Sequence, residues 1–329
     1  MIFSISITGP TASGKTGLSL ELAERLGGEI ISADSMQIYK EMNIGTAKAT
    51  KAERERAPHH LIDFLSPKEN YSVECYREAA MDKAREISCR GRLPIFVGGT
   101  GLYVSSLLRA PQSDVPESDI SYRKAILDGI KTEEDVNSLW ERLRAVDPES
   151  AEKIHKNNVK RVIRALEIYE KTGVSKTELD KRSKELNPEI FVGMITLDFH
   201  NRDTLYSRID KRVDIMMEEG LFAEVASLYE RELLPEGSTA AQAIGYKEIA
   251  SHIKGECTLH EAVENIKLAS RRYAKRQLTW FRHTEGTYTL YMDDEMGNMR
   301  ELSDVLDEAL RAYNKFSGEY KRLIDSENI

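Results

Sequence analysis

Two rhythms of apolar spacing recur along this chain. Ile2, Phe3, Ile5 and Ile7 form a short apolar run suited to a buried parallel strand. The next stretch, Gly17-Leu18-Ser19-Leu20-Glu21-Leu22-Ala23, has helical spacing and ends at Gly27-Gly28. Glu29 to Ala33 and Leu93 to Val97 read as further buried strands. Between them a helix runs from Val73 through Arg90, with Ser72 placed as its cap and Gly91 as its stop. From Ser118 to about Asn187 the pattern is helical, without strand-like alternation. Its clearest helix spans Val159 to Lys171, with Val159, Val162, Ile163 and Leu166 at core spacing and Gly173 at the end. Strand character returns over Pro188 to Leu197. Arg202 to Glu219 then predicts a helix with Leu205, Ile209, Val213 and Met216 on one side, charged residues on the other, and Gly220 as stop. A loop with Pro235 and Gly237 leads on to Gln242, and the stretch beyond Thr287 predicts a short strand and a charged closing helix.

These elements predict an α/β fold, a P-loop NTPase-like parallel sheet flanked by helices and interrupted by an all-helical insertion domain. The expected division is residues 1–112 for the first part of the core, 113–188 for the insertion and 189–329 for the second part. Ala110 to Pro116 is the expected linker.

The junction of first strand and first helix carries the clearest chemistry. Gly9-Pro10-Thr11-Ala12-Ser13-Gly14-Lys15-Thr16 matches G-x-x-x-x-G-K-[ST] at every required position, in the strand-to-helix context of a P-loop. Loop amides and the helix N-terminus there make an anion site. Lys15 would neutralise phosphate oxygens, and the Thr16 hydroxyl would ligate Mg²⁺. A glycine-rich turn without a ligand leaves the full match in context unexplained. The motif establishes polyphosphate binding without naming the polyphosphate. Asp34, just past the second strand, stands at the sheet edge where ligands bind. It could be a metal ligand, a base acting on an acceptor, or a helix N-cap. Gly98-Gly99-Thr100-Gly101 brings backbone close to ligand after the Leu93 to Val97 strand. That strand lacks the terminal aspartate of an ATPase, which argues against nucleotide hydrolysis. His59 and His60 have no third metal ligand at a familiar spacing and read as loop-packing residues lining the site.

Charge adds a second feature. The 329 residues carry a formal net charge of -8, so nucleic-acid binding needs local clustering. Arg271 to Arg282 supplies it, with no acid in the stretch. At about 100° per residue, Arg271, Arg272, Lys275, Arg276, Thr279 and Arg282 share one sector. Tyr273, Ala274, Gln277, Leu278, Trp280 and Phe281 share the other. A surface helix ordinarily mixes its charges, so a one-sided basic stripe backed by an apolar face fits a helix that grips a phosphodiester backbone. Lys160, Arg161 and Arg164 share one edge of their helix, which spacing alone explains as a solvated face. Cys75, Cys89 and Cys257 are scattered, without metal spacing, as in a reduced cytoplasm. No secretory signal and no apolar run near the ~20 residues of a membrane span are expected.

With these residues assembled, the sequence resembles the bacterial tRNA dimethylallyltransferase (tRNA isopentenyltransferase) family over nearly its whole length. The motifs are GPTASGKT (Gly9 to Thr16), ADSMQIY (Ala33 to Tyr39), NIGTAK (Asn43 to Lys48), PHHLID (Pro58 to Asp63), VGGTGLY (Val97 to Tyr103), RVIRALEI (Arg161 to Ile168), RVDIMMEEGL (Arg212 to Leu221), AIGYKE (Ala243 to Glu248) and RRYAKRQLTWFR (Arg271 to Arg282). One departure is Asn157-Asn158-Val159-Lys160, where similar enzymes often carry Asp-Pro-Gln. The resemblance implies prenyl transfer from dimethylallyl diphosphate to the exocyclic amine of the adenosine 3′ of the anticodon, with Mg²⁺. It implies Asp34 as the base, Thr100 on the acceptor or the diphosphate, and Ser35, Met36 and Gln37 around the target base. Gln242, Ala243, Ile244, Gly245, Tyr246 and Lys247, with Arg123, Lys160, Arg161, Arg164 and the Arg271 to Arg282 helix, would hold the anticodon stem-loop. A monomer in the cytoplasm is expected. Two rival activities are prenyl transfer to free adenine nucleotides and a P-loop small-molecule kinase using Asp34 on a hydroxyl. A third is an RNA-binding module with a vestigial P-loop, which the intact Lys15-Thr16 pair opposes.

Overall fold

The structure, a computed structural model, describes residues 1–110, 119–182 and 185–327. It divides into two compact units, residues 1–108 with 188–329, and residues 109–187. The larger unit holds a six-stranded, all-parallel sheet. In chain order its strands are β1 (Ile2–Thr8), β2 (Gly28–Ser32), β3 (His59–His60), β4 (Leu93–Gly98), β5 (Ile190–Asp198) and β6 (Thr287–Tyr291). Their order in space is β3-β2-β4-β1-β5-β6. β1 therefore runs through the middle, with Thr8 opposite Gly98 on one side and Thr196 on the other. Helices cover both faces, so both faces of the central strands are buried and their sequences run nearly continuously apolar. Ile5, Ile7, Ile31, Ile95, Phe96 and Ile195 are fully buried, each contributing about 1.5–3 kcal/mol by leaving water.

The helices after Ser72 and Asn201 form where spacing and caps predict. Ser72 Oγ accepts the Cys75 N–H at 3.1 Å and starts Val73–Cys89. The predicted Arg202 to Glu219 helix is Arg202–Glu218, burying Leu205, Ile209 and Val213. A helix the pattern did not reveal, Leu221–Glu230, follows at once. It packs with Tyr246–Ile253 and the first half of Leu259–Arg282 around a second core that includes Ile38, Tyr39, Tyr246 and Ile266.

The smaller unit is helical, as expected: Ile120–Gly129, Glu133–Val146, Pro148–Lys153, Val159–Thr172 and Lys176–Arg182. It spans residues 109–187, with Arg109 and Leu186 in an antiparallel bridge and Ala110 N–H bonded to Glu185 O at 2.9 Å, pairing entry with exit. Most of the expected linker, 111–116, lies outside the described residues. Inside this unit Glu167 is fully buried and accepts from Arg123 at 2.8 Å and Arg164 at 2.7 Å. A buried carboxylate needs such partners. The guanidiniums of Arg123 and Arg164, expected on RNA, are thus directed at Glu167, while Lys160 and Arg161 are exposed.

Candidate active site

β1 ends at Thr8, and the chain curls once before the Lys15–Leu26 helix begins. Ala12 (φ 61°) and Gly14 (φ 93°) take left-handed backbone, the device by which a loop turns its N–H groups toward one concavity. From the Arg202–Glu218 helix, Arg208 Nε donates to Ala12 O at 2.9 Å and braces the loop. Lys15 Nζ folds back over the turn, donating to Gly9 O at 3.1 Å and Pro10 O at 2.6 Å. Burial of the ammonium, then repulsion by Arg212, lower the Lys15 pKa to about 7, partly offset by the attraction of Asp34. Burial likewise pulls Arg208 and Arg212 below the ordinary guanidinium range. Three partly desolvated cations gather here, and two of them, Lys15 and Arg212, feel the Asp34 charge. Such an excess of positive charge suits an anion carrying more than one negative charge.

Asp34 follows β2 in a turn that no helix continues, so it is not a helix cap. Its Oδ1 accepts Met36 N–H at 2.9 Å, leaving Oδ2 for another partner. Thr100 Oγ1 accepts Ser35 N–H at 3.0 Å, and Thr100 N–H bonds Ala33 O at 3.2 Å. Thr100 therefore locks the Asp34 turn to the glycine turn after β4. Gln37 builds wall: Oε1 accepts from Ser32 Oγ at 3.0 Å, and Nε2 donates to the carbonyls of Thr46 and Ala47 at 3.3 and 3.2 Å.

The basic helix, Leu259–Arg282, enters the site through Tyr273, Arg276 and Gln277. Burial, then the Asp34 charge, push the Tyr273 phenol up to about 12. Arg276 lies 5.5 Å from the centre of the Tyr273 ring. Gln277, placed by periodicity in the apolar sector, is buried, but its amide is polar glue. It accepts Thr11 N–H and donates to Gly99 O, both at 2.9 Å. A Cβ at position 99 would displace that amide from its place, so glycine there leaves room for the Gln277 contact. Arg208, Arg212, Tyr273 and Gln277 were missed as site residues by sequence reasoning. Arg208 and Arg212 offered a signal, lying four apart on one helix, one turn from each other.

A cavity of about 740 Å³ joins these parts. The P-loop, Lys15, Thr16, Arg208 and Arg212 line it, as do Asp34 to Gln37, Gly45 to Ala47, Gln242 to Gly245, Lys247, Tyr273 and Arg276. Thr16 is exposed to it at the helix N-terminus. That placement fits Mg²⁺, which keeps most of its waters and takes one or two protein oxygens plus phosphates. Among the described residues no group of three or more His, Cys, Asp or Glu could hold a metal. Beside the cavity a groove of about 490 Å³ is lined by Lys247, Arg272 and Arg276. Lys275 is also exposed.

Other expected site residues stand elsewhere. Arg282 donates to both oxygens of Asp198, at 2.7 and 2.9 Å, and Asp198 is 1% exposed. Arg271 is paired with Asp210. Tyr246 is fully buried, its hydroxyl donating to Glu224 at 2.6 Å. His59 and His60 form the edge strand β3, not a lining loop, pairing with Ile30 and Ile31, and His60 Nε2 lies 2.7 Å from Glu29.

The IPP transferase family profile matches residues 37–284, and that of isopentenyl transferase matches residues 4–63. A tRNA dimethylallyltransferase of Bacillus cereus (strain ATCC 14579) is 50% identical over 278 residues, 84% of this chain and 86% of its own. One from Thermoanaerobacter sp. (strain X514) is 46% identical over 295 residues, covering 88% and 92%. The crystal structure of tRNA delta(2)-isopentenylpyrophosphate transferase from Staphylococcus epidermidis superposes with a TM-score of 0.69 at 42% identity, covering 96% of this chain and 99% of that one. A eukaryotic dimethylallyltransferase acting on tRNA superposes with a TM-score of 0.74 at 32% identity, covering 88% and 74%. Agreement over this length, in sequence and in fold, means that the chain belongs to the IPP transferase family.

Proposed function

We propose that this protein transfers a dimethylallyl group from dimethylallyl diphosphate to the N6 amine of the adenosine 3′ of the anticodon in tRNA. The observation that carries the reading is one cavity in which a half-engaged carboxylate, Asp34, faces a phosphate cradle crowded with cations. The relatives that match most of the chain are named for this transfer to tRNA.

The chemistry follows from the charges. The N6–C1 bond forms as the allylic C1–O bond breaks, and the electron pair of that bond leaves on the diphosphate. Its growing negative charge meets the P-loop amides, Lys15, Arg208 and Arg212, donors fixed before the reaction starts. Mg²⁺ held through Thr16 would neutralise further diphosphate charge. The adenine amine is a poor nucleophile because its lone pair is delocalised into the ring. The free oxygen of Asp34 accepts its hydrogen bond and takes the proton, assistance typically worth roughly 10²–10⁴-fold. A base inside a stem-loop must leave its stack to reach this cavity. Arg272, Lys275 and Arg276 are exposed on one helix and suit the flanking phosphates, with Gln242 and Lys247 on the rim.

The test is nucleoside mass spectrometry of unmodified tRNA after incubation with dimethylallyl diphosphate and Mg²⁺. An adenosine heavier by one dimethylallyl group next to the anticodon is the expected product. ADP release from ATP without modified RNA would sink the reading in favour of a kinase. Competition by free AMP at tRNA-like concentrations would move the acceptor to mononucleotides.

A further inference from the structure

The Leu221–Glu230 helix, which the apolar pattern did not reveal, carries a carboxylate with an unusual set of partners. Glu224 Oε2 accepts Asn43 N–H and Ile44 N–H, both at 2.9 Å. Its Oε1 accepts Gly45 N–H at 3.2 Å and the Tyr246 hydroxyl at 2.6 Å, with Ile44 N–H also within 3.1 Å. Three successive backbone amides converging on one point make the kind of concavity that usually holds a bound anion. Here the chain fills it with its own acid. Burial and the adjacent carboxylate hold the Tyr246 phenol far above its ordinary range, so the hydroxyl stays a donor.

The contacts lead into the cavity. Residue 45 has no room for a Cβ, since the Tyr246 ring lies against it. Gly45, Thr46 and Ala47 line the cavity, and the carbonyls of Thr46 and Ala47 hold the amide of Gln37, three residues past Asp34. Ala243 to Gly245, just before Tyr246, line the same cavity. One carboxylate therefore ties two wall segments to each other, and among the described residues no hydrogen bond joins either segment to the P-loop. The far end of the 43–48 segment has a separate anchor, because Lys48 Nζ donates to Tyr39 O at 2.6 Å and Asp63 at 2.7 Å.

We infer that Glu224 is a positioning residue for the acceptor, setting the wall that receives the base while leaving the diphosphate side untouched; this rests on the proposed transfer to RNA. Glu224→Gln preserves size but turns one acceptor oxygen into a donor facing the Gly45 amide or the Tyr246 hydroxyl. The measurements are KM for tRNA and for dimethylallyl diphosphate, Kd for an anticodon stem-loop RNA, and amide hydrogen exchange along the chain. The expected result is a roughly tenfold or larger rise in the tRNA KM and stem-loop Kd, the loss of an aligned hydrogen bond or two. The diphosphate-substrate KM should stay within about twofold, with faster exchange confined to residues 43–46. Tyr246→Phe, which removes one donor and keeps the ring, should show the same split at smaller amplitude. It decides the matter if Glu224→Gln fails to fold. Unchanged RNA constants overturn the inference, and so does a parallel rise in both KM values with exchange spread through the chain. Should the wild-type protein leave tRNA unmodified, the proposed function fails. The stem-loop Kd and the exchange pattern still decide the role of Glu224.

Discussion

Gln277 donates its side-chain N–H to the Gly99 carbonyl at 2.9 Å, and the same amide accepts from Thr11. A single buried side chain on the basic helix thus spans the phosphate cradle and the turn that positions Asp34. Gln277→Leu should leave Thr11 N–H and Gly99 O without partners and lower stability by about 2 kcal/mol. It should also slow transfer more than tenfold, because both loops lose their register. Denaturant unfolding and single-turnover transfer check this. A variant of normal stability and normal rate would reduce Gln277 to filler.

Lys15 makes the anion site sensitive to pH. Its folded pKa of about 7 lies below the ordinary lysine value. Between pH 7 and 10 the folded protein therefore binds fewer protons than the unfolded chain, and this group's contribution to stability rises with pH across that window. Diphosphate restores the charge, so its binding at pH 8 should take up close to one proton. Its affinity should fall toward tenfold per unit as pH rises above 7. Calorimetry of inorganic diphosphate in two buffers of different ionisation enthalpy reads the uptake. Lys15→Met should abolish it.

Three arginines of one helix should respond in two opposite ways. Charge reversal at Arg272 and Arg276, both exposed, should weaken stem-loop binding and lower its salt slope by about one to two, with stability nearly unchanged. Arg282→Ala strands the buried Asp198 and should cost on the order of 3 kcal/mol of stability. It should leave the salt slope alone. Salt titrations and thermal melts on the same preparations separate the two roles.

Asp34→Asn keeps the Met36 turn, since an amide oxygen can still accept, but cannot take a proton. Turnover should fall by roughly 10²–10⁴-fold while stem-loop affinity stays within a few-fold. Rapid-quench transfer with a filter-binding control measures both. Near-normal turnover would remove Asp34 as the base.

Much of the architecture could be read before any coordinates. Buried parallel strands announce themselves as apolar runs, and β1, β2, β4 and β5 were all visible that way. The P-loop was legible because its motif specifies backbone shape, and shape is local. What escaped depended on partners distant in sequence. Nothing near Arg282 shows that Asp198 awaits it, and nothing near Arg123 shows the buried Glu167. Gln277 read as apolar because its neighbours at helical spacing are apolar. Glu224 read as nothing, because three amides from residues 43 to 45 give a distant carboxylate no local signal. His59 and His60 form too short a strand for period-two alternation to register.

The strand bearing the phosphate cradle is sandwiched between β4 and β5, and β5 begins only at Ile190. During synthesis the emerging chain must therefore hold an apolar strand with one flank bare until the helical insertion has left the ribosome. Domains tend to fold as units as they emerge. The insertion, contiguous and with its own apolar centre, is free to settle first. The cradle is completed only after Gln277 arrives, so a prematurely terminated product lacks the braced anion site along with the RNA-gripping helix.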